Sequence, residues 1–305
     1  MAIFKALTIA GSDSGGGAGI QADLKTFQEL DVYGMSAITA VTAQNTLGVQ
    51  GVYPMSAEAI ERQLISIGED LPPDALKTGM LFSGEIIGTV AAAIKRFGWE
   101  QVVVDPVMIA KGGASLLQQE AVDTMIDVLL PLATVVTPNI PEAEALSGLT
   151  ITDLGTRQLA AKRIHQYGCK QVIIKGGHDE ANADYATDLL YDGETFTEFT
   201  SQRLATRHTH GTGCTFAAAL TAGLAQGFTI KKAVQLAKQF IHAAIAEPLH
   251  LGGGHGPTNH WAYGRRLRER NEQVSRDGAR EDAGRGGFHE ADSNNDLHVQ
   301  TRGVL

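Results

Sequence analysis

The stretch 101-QVVVDPV-107 places three consecutive valines directly before an aspartate and a proline. A continuous β-branched run without polar alternation is typical of a strand that is buried on both faces of a parallel sheet. Comparable runs recur along the chain at 5–11, 36–42, 75–80, 133–139 and 171–177. The pattern predicts an α/β protein with a mostly parallel central sheet.

Segments with helical periodicity separate these runs, at 19–31, 57–69, 84–97, 117–129, 142–147 and 154–168. Ser56 and Asp153 stand where two of them begin, so we expect both to be N-caps. The alternation of strands and helices predicts helices on both faces of the sheet. Further along, 187-TDLLYDG-193 and 195-TFTEFTS-201 predict a β-hairpin, followed by helices at about 213–227 and 230–246.

Composition favours a cytoplasmic protein of ordinary globular type. The chain has 305 residues and a formal net charge of -9, which argues against nucleic acid or an anionic membrane as its main partner. We find no apolar run of the roughly 18 residues that a membrane span needs, and no evident secretory signal. Its two cysteines, Cys169 and Cys214, have neither metal-ligand spacing nor the density of a disulfide framework.

The last 42 residues differ in kind from the rest. Residues 264–305 are rich in arginine, acidic residues and glycine, with Phe288 as their single aromatic side chain. Such a segment buries too little apolar surface to offset the entropy that ordering it costs. We therefore expect one folded domain at 1–263 and a polar, disordered tail at 264–305.

Polar and glycine-rich residues follow the apolar runs, where ligands bind in open parallel sheets. This placement predicts a functional rim that is formed by Asp13, Asp23, Gln44, Asp105, Asn139, Glu142 and Lys175.

The glycine-rich loop 11-GSDSGGGAG-19 lacks the GK[ST] of a phosphate-binding P-loop. Residues 17-GAGIQA-22 fit the dinucleotide pattern, but 36–44 holds no acidic residue for the ribose, so we interpret the loop as a tight turn.

A second glycine turn, 208-HTHGTGCT-215, opens a helix of small residues. The first amides of a helix lack partners and favour an anion. Cys214 stands in this turn, and the residues alone leave two interpretations open. It is either a small buried side chain or a thiol whose pKa the helix start lowers.

Several motifs now stand in order: GSDSGGGAGIQAD, TAQNT, VVVDPVM, TPNIPEA, VIIKGGH and HGTGCT. Over about residues 3–262, the chain resembles the hydroxymethylpyrimidine/phosphomethylpyrimidine kinases of thiamine biosynthesis, a branch of the ribokinase-like superfamily. The resemblance implies a ribokinase-like fold and a homodimer, for which the N-terminus and 36–54 are candidate interface segments. It also implies phosphorylation of 4-amino-5-hydroxymethyl-2-methylpyrimidine, and then of its monophosphate, by ATP and Mg²⁺.

The same resemblance assigns roles at the phosphoryl-transfer centre. Cys214 would accept the proton of the attacking hydroxymethyl group, and the amides of Gly211, Thr212, Gly213 and Cys214 would hold the transferring phosphoryl. The metal site would consist of Asp105, Asn139 and Glu142, acting through water. Lys175 would contact the nucleotide phosphates, and His210 is a further candidate for a phosphate contact.

For the pyrimidine, the resemblance implies Gln44, Asp23, Gly11, Met80 and Val107. The Gln44 amide would pair with a ring nitrogen and its neighbouring amine.

Each assignment has a structural alternative. Asp105 would then end its strand, Asn139 and Glu142 would cap a helix, Gln44 would cap the loop 43–48, Lys175 would be a solvated charge, and Met80 would fill space.

Two other functions stay open at this point. A pyridoxal or pyridoxine kinase of the same fold would accept a similar hydroxymethyl group on an aromatic ring. A non-catalytic sensor of pyrimidine or nucleotide would need no base.

Overall fold

The computed structural model describes residues 2–108, 121–178, 184–283 and 298–303. In these ranges, ten strands form one sheet. They are β1 (Lys5–Asp13), β2 (Tyr33–Asn45), β3 (Gly48–Pro54), β4 (Ala75–Thr78), β5 (Val102–Val104), β6 (Val135–Val136), β7 (Gln171–Ile174), β8 (Tyr185–Tyr191), β9 (Thr195–Gln202) and β10 (His298–Gly303).

The helices are α1 (Gly19–Glu29), α2 (Ala57–Asp70), α3 (Gly84–Phe97), α4 (Ala121–Thr124), α5 (Ile140–Ser147), α6 (Leu154–His165), α7 (Thr212–Ala225), α8 (Ile230–Ala246) and α9 (Ala262–Ala283). A π-helical turn at Met125–Leu129 and a 3₁₀ turn at Leu130–Leu132 continue α4. Within the described ranges, no helix is both long and apolar enough to cross a membrane.

The sheet runs in the order β10-β9-β8-β7-β6-β5-β4-β1-β2-β3. Its six central strands, from β7 to β2, are parallel to one another. Antiparallel pairs flank them, with β3 against β2 at one edge and β8, β9 and β10 at the other. The predicted α/β class, parallel centre and hairpin are therefore confirmed.

Helices cover both faces of this sheet, as predicted. On one face, Val102 and Val104 pack with apolar residues of α2, α3, α5 and α6. On the other, Val103 packs with α1, α7 and α8. Successive strand residues point to opposite faces, so a strand with a core on each side is apolar throughout.

Local signals at the helix starts also hold. The side chains of Ser56 and Asp153 accept hydrogen bonds from Ala59 and Thr156, which confirms both as N-caps. Helix α4 begins at Ala121, so the predicted start at 117 lies outside the described residues. Strand β3 was not predicted, because its sequence, GVQGVYP, contains two glycines and lacks a clear alternation.

The C-terminal segment contains more secondary structure than its composition suggests. Helix α9 crosses the expected boundary at 263/264 and continues to Ala283, and β10 pairs antiparallel with β9. Arginine and glutamate, which are frequent here, are good helix formers that need no buried face. Whether residues 264–305 are ordered in solution stays a prediction, which a truncation below tests.

Candidate functional site

An open cleft of about 690 Å³ lies at the carboxyl ends of the parallel strands. The predicted residues that line it are Gly11, Gln44, Met80, Asp105, Val107, Asn139, Glu142, Lys175, His210, Gly211, Thr212, Gly213 and Cys214. Asp23 is the one predicted site residue that does not line the cleft. The rim rule of parallel sheets thus brings together residues from the ends of the six parallel strands, and the turn before α7 adds a seventh segment.

The start of α7 forms the middle of the cleft. Gly211 precedes it with φ 83°, and a Cβ at this position would collide with the carbonyl oxygen of Gly17, so the close approach of the two glycine turns requires glycine. No side chain caps α7, while Thr212 N donates to Thr209 O at 3.4 Å. Of the four amides predicted to hold the phosphoryl, that of Thr212 is used in this way, and those of Gly211, Gly213 and Cys214 stay predicted donors to an anion.

Cys214 is half-buried in the first turn of α7. Burial and the Asp23 and Asp105 carboxylates together raise the pKa of its thiol to about 11, although the Lys77 ammonium acts in the opposite direction. The lowered thiol pKa that a helix start can give is therefore not found, because burial and two carboxylates outweigh the lysine. Cys214 rests as a thiol.

Lys175 and Asp105 form an ion pair on the cleft wall. Lys175 Nζ lies 2.8 Å from Asp105 Oδ1, which also accepts from Thr137 Oγ1 at 3.1 Å. Burial opposes ionisation of Asp105, but the Lys175 and Lys77 ammonium groups outweigh it and lower the pKa of the carboxyl. A Cβ on Gly213 would stand 3.4 Å from Lys175 Nζ and 3.8 Å from Asp105 Oδ2. The pair therefore lies beside the start of α7.

Asn139 and Glu142 form a reciprocal capping box at the start of α5. Asn139 Oδ1 accepts from Glu142 N at 2.9 Å, and Glu142 Oε2 accepts from Asn139 N at 2.8 Å. Burial raises the pKa of Glu142 to about 7, although Lys175 acts in the opposite direction. The capping contact is therefore present, and the predicted water-mediated metal role of Asn139 and Glu142, which can coexist with the cap, stays a prediction.

No three His, Cys, Asp or Glu side chains in the described ranges converge closely enough to bind a metal directly. Mg²⁺ keeps several water ligands and commonly uses one or two protein carboxylates. Asp105 and Glu142 fit that requirement, since both are oxygen donors on the cleft wall.

Gln44, Met80, Val107 and Gly11 form a further part of the cleft wall. Gln44 is in β2 rather than in the loop 43–48, and the Met80 side chain packs where a Cβ on Gly11 would be. An amide and apolar side chains form this part of the wall, as a flat, polar-edged ring requires.

His210 lies beside Gln44 in the cleft. Its Nε2 lies 2.8 Å from Asp13 Oδ2 and 3.4 Å from the amide of Gln44. The ring therefore contacts a carboxylate, while its predicted contact with phosphate stays a prediction. Asp13 also accepts hydrogen bonds from the amides of Gly15, Gly17 and Ala18, so it shapes the first glycine turn.

Asp23 requires a correction, since it is fully buried behind the cleft. Both of its oxygens lie 3.0 Å from Lys77 Nζ, and Oδ2 also accepts from Thr8 Oγ1 at 2.6 Å. With these partners Asp23 is enclosed, and the predicted contact with substrate is not available. Lys77 was missed because its run, ALKTGM, was interpreted only as an apolar strand.

The far end of the cleft was also missed. Phe216, Ile241 and Ile245 line it beside a buried ion pair in which Lys238 Nζ lies 2.8 Å from Asp188 Oδ2. Asp188 Oδ1 in turn accepts from Gly176 N at 2.8 Å. Since Gly176 follows Lys175 in the chain, this end adjoins Lys175, and three apolar side chains line it.

Comparison with known proteins gives a consistent result. A family model described as phosphomethylpyrimidine kinase matches residues 13–259. The chain belongs to this family. It is therefore a kinase, and its fold is the ribokinase-like fold that the motifs predict.

Two bacterial relatives illustrate the similarity. The hydroxymethylpyrimidine/phosphomethylpyrimidine kinase of Bacillus subtilis (strain 168) is 57% identical over 265 residues, which cover 87% of this chain and 97% of the relative. Its counterpart in Haemophilus influenzae is 58% identical over 264 residues, covering 85% of this chain and 97% of the relative.

A solved structure of similar fold is that of the pyridoxal kinase from Staphylococcus aureus in complex with AMP-PCP. It matches with a TM-score of 0.81 and 44% identity, covering 87% of this chain and 96% of that one.

Proposed function

We propose that this kinase transfers the γ-phosphoryl group of ATP to 4-amino-5-hydroxymethyl-2-methylpyrimidine, and then phosphorylates the monophosphate to the pyrophosphate used in thiamine biosynthesis. The observation that carries the proposal is the position of the α7 turn. Gly213 lies beside the Lys175–Asp105 pair, and His210, which precedes the same turn, lies 3.4 Å from the amide of Gln44, all in one cleft. An acceptor ring on one side and a triphosphate on the other would meet at this turn.

The chemistry of the centre is mainly electrostatic. Phosphoryl transfer passes through a loose transition state, so positioning and neutralisation of charge supply most of the catalysis. The amides of Gly213 and Cys214 would donate to the transferring phosphoryl oxygens, and Lys175 would contact the nucleotide phosphates. Each of these groups stabilises the negative charge that develops on the phosphoryl oxygens in the transition state.

Cys214 would accept the proton of the attacking hydroxymethyl group. In a loose transition state this proton leaves late, so a strong base is not required at the start of the reaction. The Lys77 ammonium favours the thiolate, whereas burial opposes it. Cys214 would therefore first have to release its own proton to solvent in the open cleft; the resulting thiolate then accepts the hydroxyl proton, which returns Cys214 to the thiol.

Mg²⁺ would be held through water by the carboxylates of Asp105 and Glu142. When bound, it would neutralise negative charge on the nucleotide phosphates. The adenine base would occupy the apolar end beside Phe216, Ile241 and Ile245, since this end continues from Lys175 and accepts a flat ring.

A second candidate function is phosphorylation of pyridoxal or pyridoxine. The S. aureus neighbour named pyridoxal kinase, at 44% identity, favours it. Kinetics that compare the pyrimidine, its monophosphate and pyridoxal as acceptors decide between the two. We expect the highest kcat/KM with the pyrimidine; a higher kcat/KM with pyridoxal would replace our proposal by the alternative, and no ATP consumption with any acceptor would favour a sensor.

We also propose that the kinase is a homodimer that uses the β2–β3 edge. Tyr33, Val41, Leu47 and Tyr53 are exposed apolar residues on or beside these two strands. A cluster of this kind at a sheet edge is typical of an interface. Light scattering should give twice the chain mass, and Leu47→Asp should give the monomer mass; a monomeric unmodified chain would contradict the assignment. The cytoplasmic location expected from composition stays a prediction.

A further inference from the structure

The side chain of Gln44 ends between two polar partners. Its backbone is fixed from the first glycine loop, because Gln44 N donates to Ser14 Oγ at 2.9 Å and Ser14 Oγ donates to Gln44 O at 2.8 Å. The structure places Gln44 Oε1 3.0 Å from Thr42 Oγ1 and Gln44 Nε2 3.4 Å from His210 Nε2. A half-turn of the amide exchanges its oxygen and its nitrogen between these two positions, so the hydrogens of the partners decide which atom stands where.

Thr42 accommodates either amide atom at the first position. Its hydroxyl has one hydrogen, and Oγ1 lies 2.8 Å from Ser12 O, a carbonyl oxygen that can only accept. With that hydrogen donated to Gln44, the amide oxygen stands beside Thr42; with it donated to Ser12, Thr42 Oγ1 accepts from the NH₂.

His210 decides between the two orientations. Its Nε2 lies 2.8 Å from Asp13 Oδ2, and Asp13 is buried. Burial opposes ionisation of Asp13, but the His210 ring and the loop amides outweigh it and lower the pKa of the carboxyl. A carboxylate accepts only, so His210 Nε2 carries a hydrogen, which it donates to Asp13. This nitrogen then cannot accept from an NH₂, so the amide atom that faces it is the oxygen.

Both partners are therefore satisfied in one orientation of Gln44, with its oxygen toward His210 and its NH₂ toward Thr42, which donates to Ser12. The NH₂ has one hydrogen bonded to Thr42 and one remaining, and the oxygen retains one lone pair beyond the His210 contact. A ring nitrogen next to an exocyclic amine matches this order of donor and acceptor. A ring that carries a carbonyl next to an N–H presents the reverse order.

We propose that Thr42 and Asp13 are positioning residues that hold the Gln44 amide in one orientation, and that the cleft thereby selects an aminopyrimidine edge over an oxopyrimidine edge. The inference rests on the proposed function for the identity of the acceptor. It goes beyond that function by assigning the selectivity to two residues that would not contact the ring. A site with oriented hydrogen bonds rejects a mismatched ligand because the site's own polar groups are then left unpaired.

Calorimetry on the full chain tests this assignment with two probes. They are 4-amino-5-hydroxymethyl-2-methylpyrimidine and its analogue with a 4-oxo group. In the unmodified chain we expect the amino compound to bind about 100-fold more tightly, since two oriented contacts are matched. Thr42→Val, which removes the hydroxyl at nearly constant shape, should reduce this ratio about tenfold because the amide can then turn.

Two further variants keep the test decisive. Thr42→Ser retains the hydroxyl and should restore the ratio to within threefold of the unmodified chain. Asp13→Asn removes the carboxylate that requires an N–H on His210, and should lower the ratio as Thr42→Val does. A merely structural role for Thr42 would weaken both probes by the same factor and leave the ratio unchanged.

The possible failures are distinguishable. An unchanged ratio in Thr42→Val and in Asp13→Asn would overturn the positioning role even if the chain phosphorylates the pyrimidine. Absence of ATP-dependent phosphorylation of the pyrimidine by the unmodified chain would overturn the proposed function, while the binding ratio would still test the amide orientation.

Discussion

Two lysine–aspartate pairs lie close to Cys214, and they differ in what surrounds them. Lys77 contacts both oxygens of Asp23 at 3.0 Å, and neither side chain is exposed. Lys175 contacts one oxygen of Asp105 at 2.8 Å, and its side chain is 14% exposed to the cleft.

The difference separates structural from functional charge. In the closed pair, Lys77–Asp23, both carboxylate oxygens accept hydrogen bonds, from Lys77 and Thr8. In the open pair, Lys175–Asp105, the ammonium and Asp105 Oδ2 both stand near the start of α7, where a ligand can replace part of their contact. A buried pair is sensitive to loss of one partner, whereas a pair at a cleft can exchange partners.

The largest effect is expected from Lys77→Met. This change leaves the Asp23 carboxylate buried without its counter-charge, so we expect a loss of about 3–5 kcal/mol in the free energy of unfolding. Urea denaturation followed by circular dichroism measures it. The double variant Lys77→Met/Asp23→Leu removes both charges and should recover at least half of the loss. If the free energy of unfolding of Lys77→Met stayed within about 1 kcal/mol of the unmodified value, the two pairs would not differ in this way.

Lys175→Met should lower the stability little and the activity strongly. Asp105 keeps its contact with Thr137 and borders the cleft, so we expect a stability loss of only about 1–2 kcal/mol. Because the variant loses the ammonium group that would contact the nucleotide phosphates, kcat/KM for ATP should fall about 100-fold. Lys170→Met, at an exposed lysine, is the control for a change of charge alone. Equal kcat/KM values in the two variants would remove Lys175 from the nucleotide site.

Asn139→Ala separates the cap of α5 from a metal role beside the open pair. Loss of the cap should cost about 1 kcal/mol in stability, the same as Ser56→Ala at the start of α2. Since the Asn139 amide oxygen is engaged in the cap, kcat at saturating Mg²⁺ should stay within about threefold of the unmodified value. A large increase in the Mg²⁺ concentration needed for activity, seen in Asn139→Ala and not in Ser56→Ala, would support Asn139 as a metal ligand.

The smallest effect concerns a third ion pair, at the surface. Arg266 Nε lies 2.6 Å from Glu247 Oε1, and the two side chains are 41% and 34% exposed. Truncation after Gly264 removes this pair and most of α9. We expect stability to change by less than about 1 kcal/mol and kcat to stay within about twofold, as measured by denaturation and steady-state assay. A larger loss would show that residues 265–305 belong to the folded domain.

The sequence alone predicts the layers of the fold and most of the cleft wall. Val102, Val103 and Val104 reveal a strand with a core on both sides, and the residues that follow such strands meet at one edge for geometric reasons. Ser56 and Asp153 are recognisable as caps because the contact spans three residues. These signals are local, or follow from a rule that holds for the whole class.

Pairings between distant residues were not predictable in the same way. Asp23 and Lys77 are 54 positions apart, and Asp13 and His210 are 197 apart, so no periodicity connects them. Placing Asp23 on the rim followed from its position near a strand end, but Lys77 then encloses it. The thiol pKa of Cys214 likewise depends on burial and on charges from three other segments.

The central claim is that phosphoryl transfer occurs at the α7 turn with Cys214 as the proton acceptor. It is tested most directly by kcat of Cys214→Ala, measured with saturating ATP and pyrimidine beside the Kd of ATP, with Cys169→Ala as the matched control. The account predicts that kcat falls at least about 100-fold in Cys214→Ala, while the Kd of ATP changes less than about twofold and Cys169→Ala retains its kcat. A Cys214→Ala variant whose kcat equals that of the unmodified chain would contradict it.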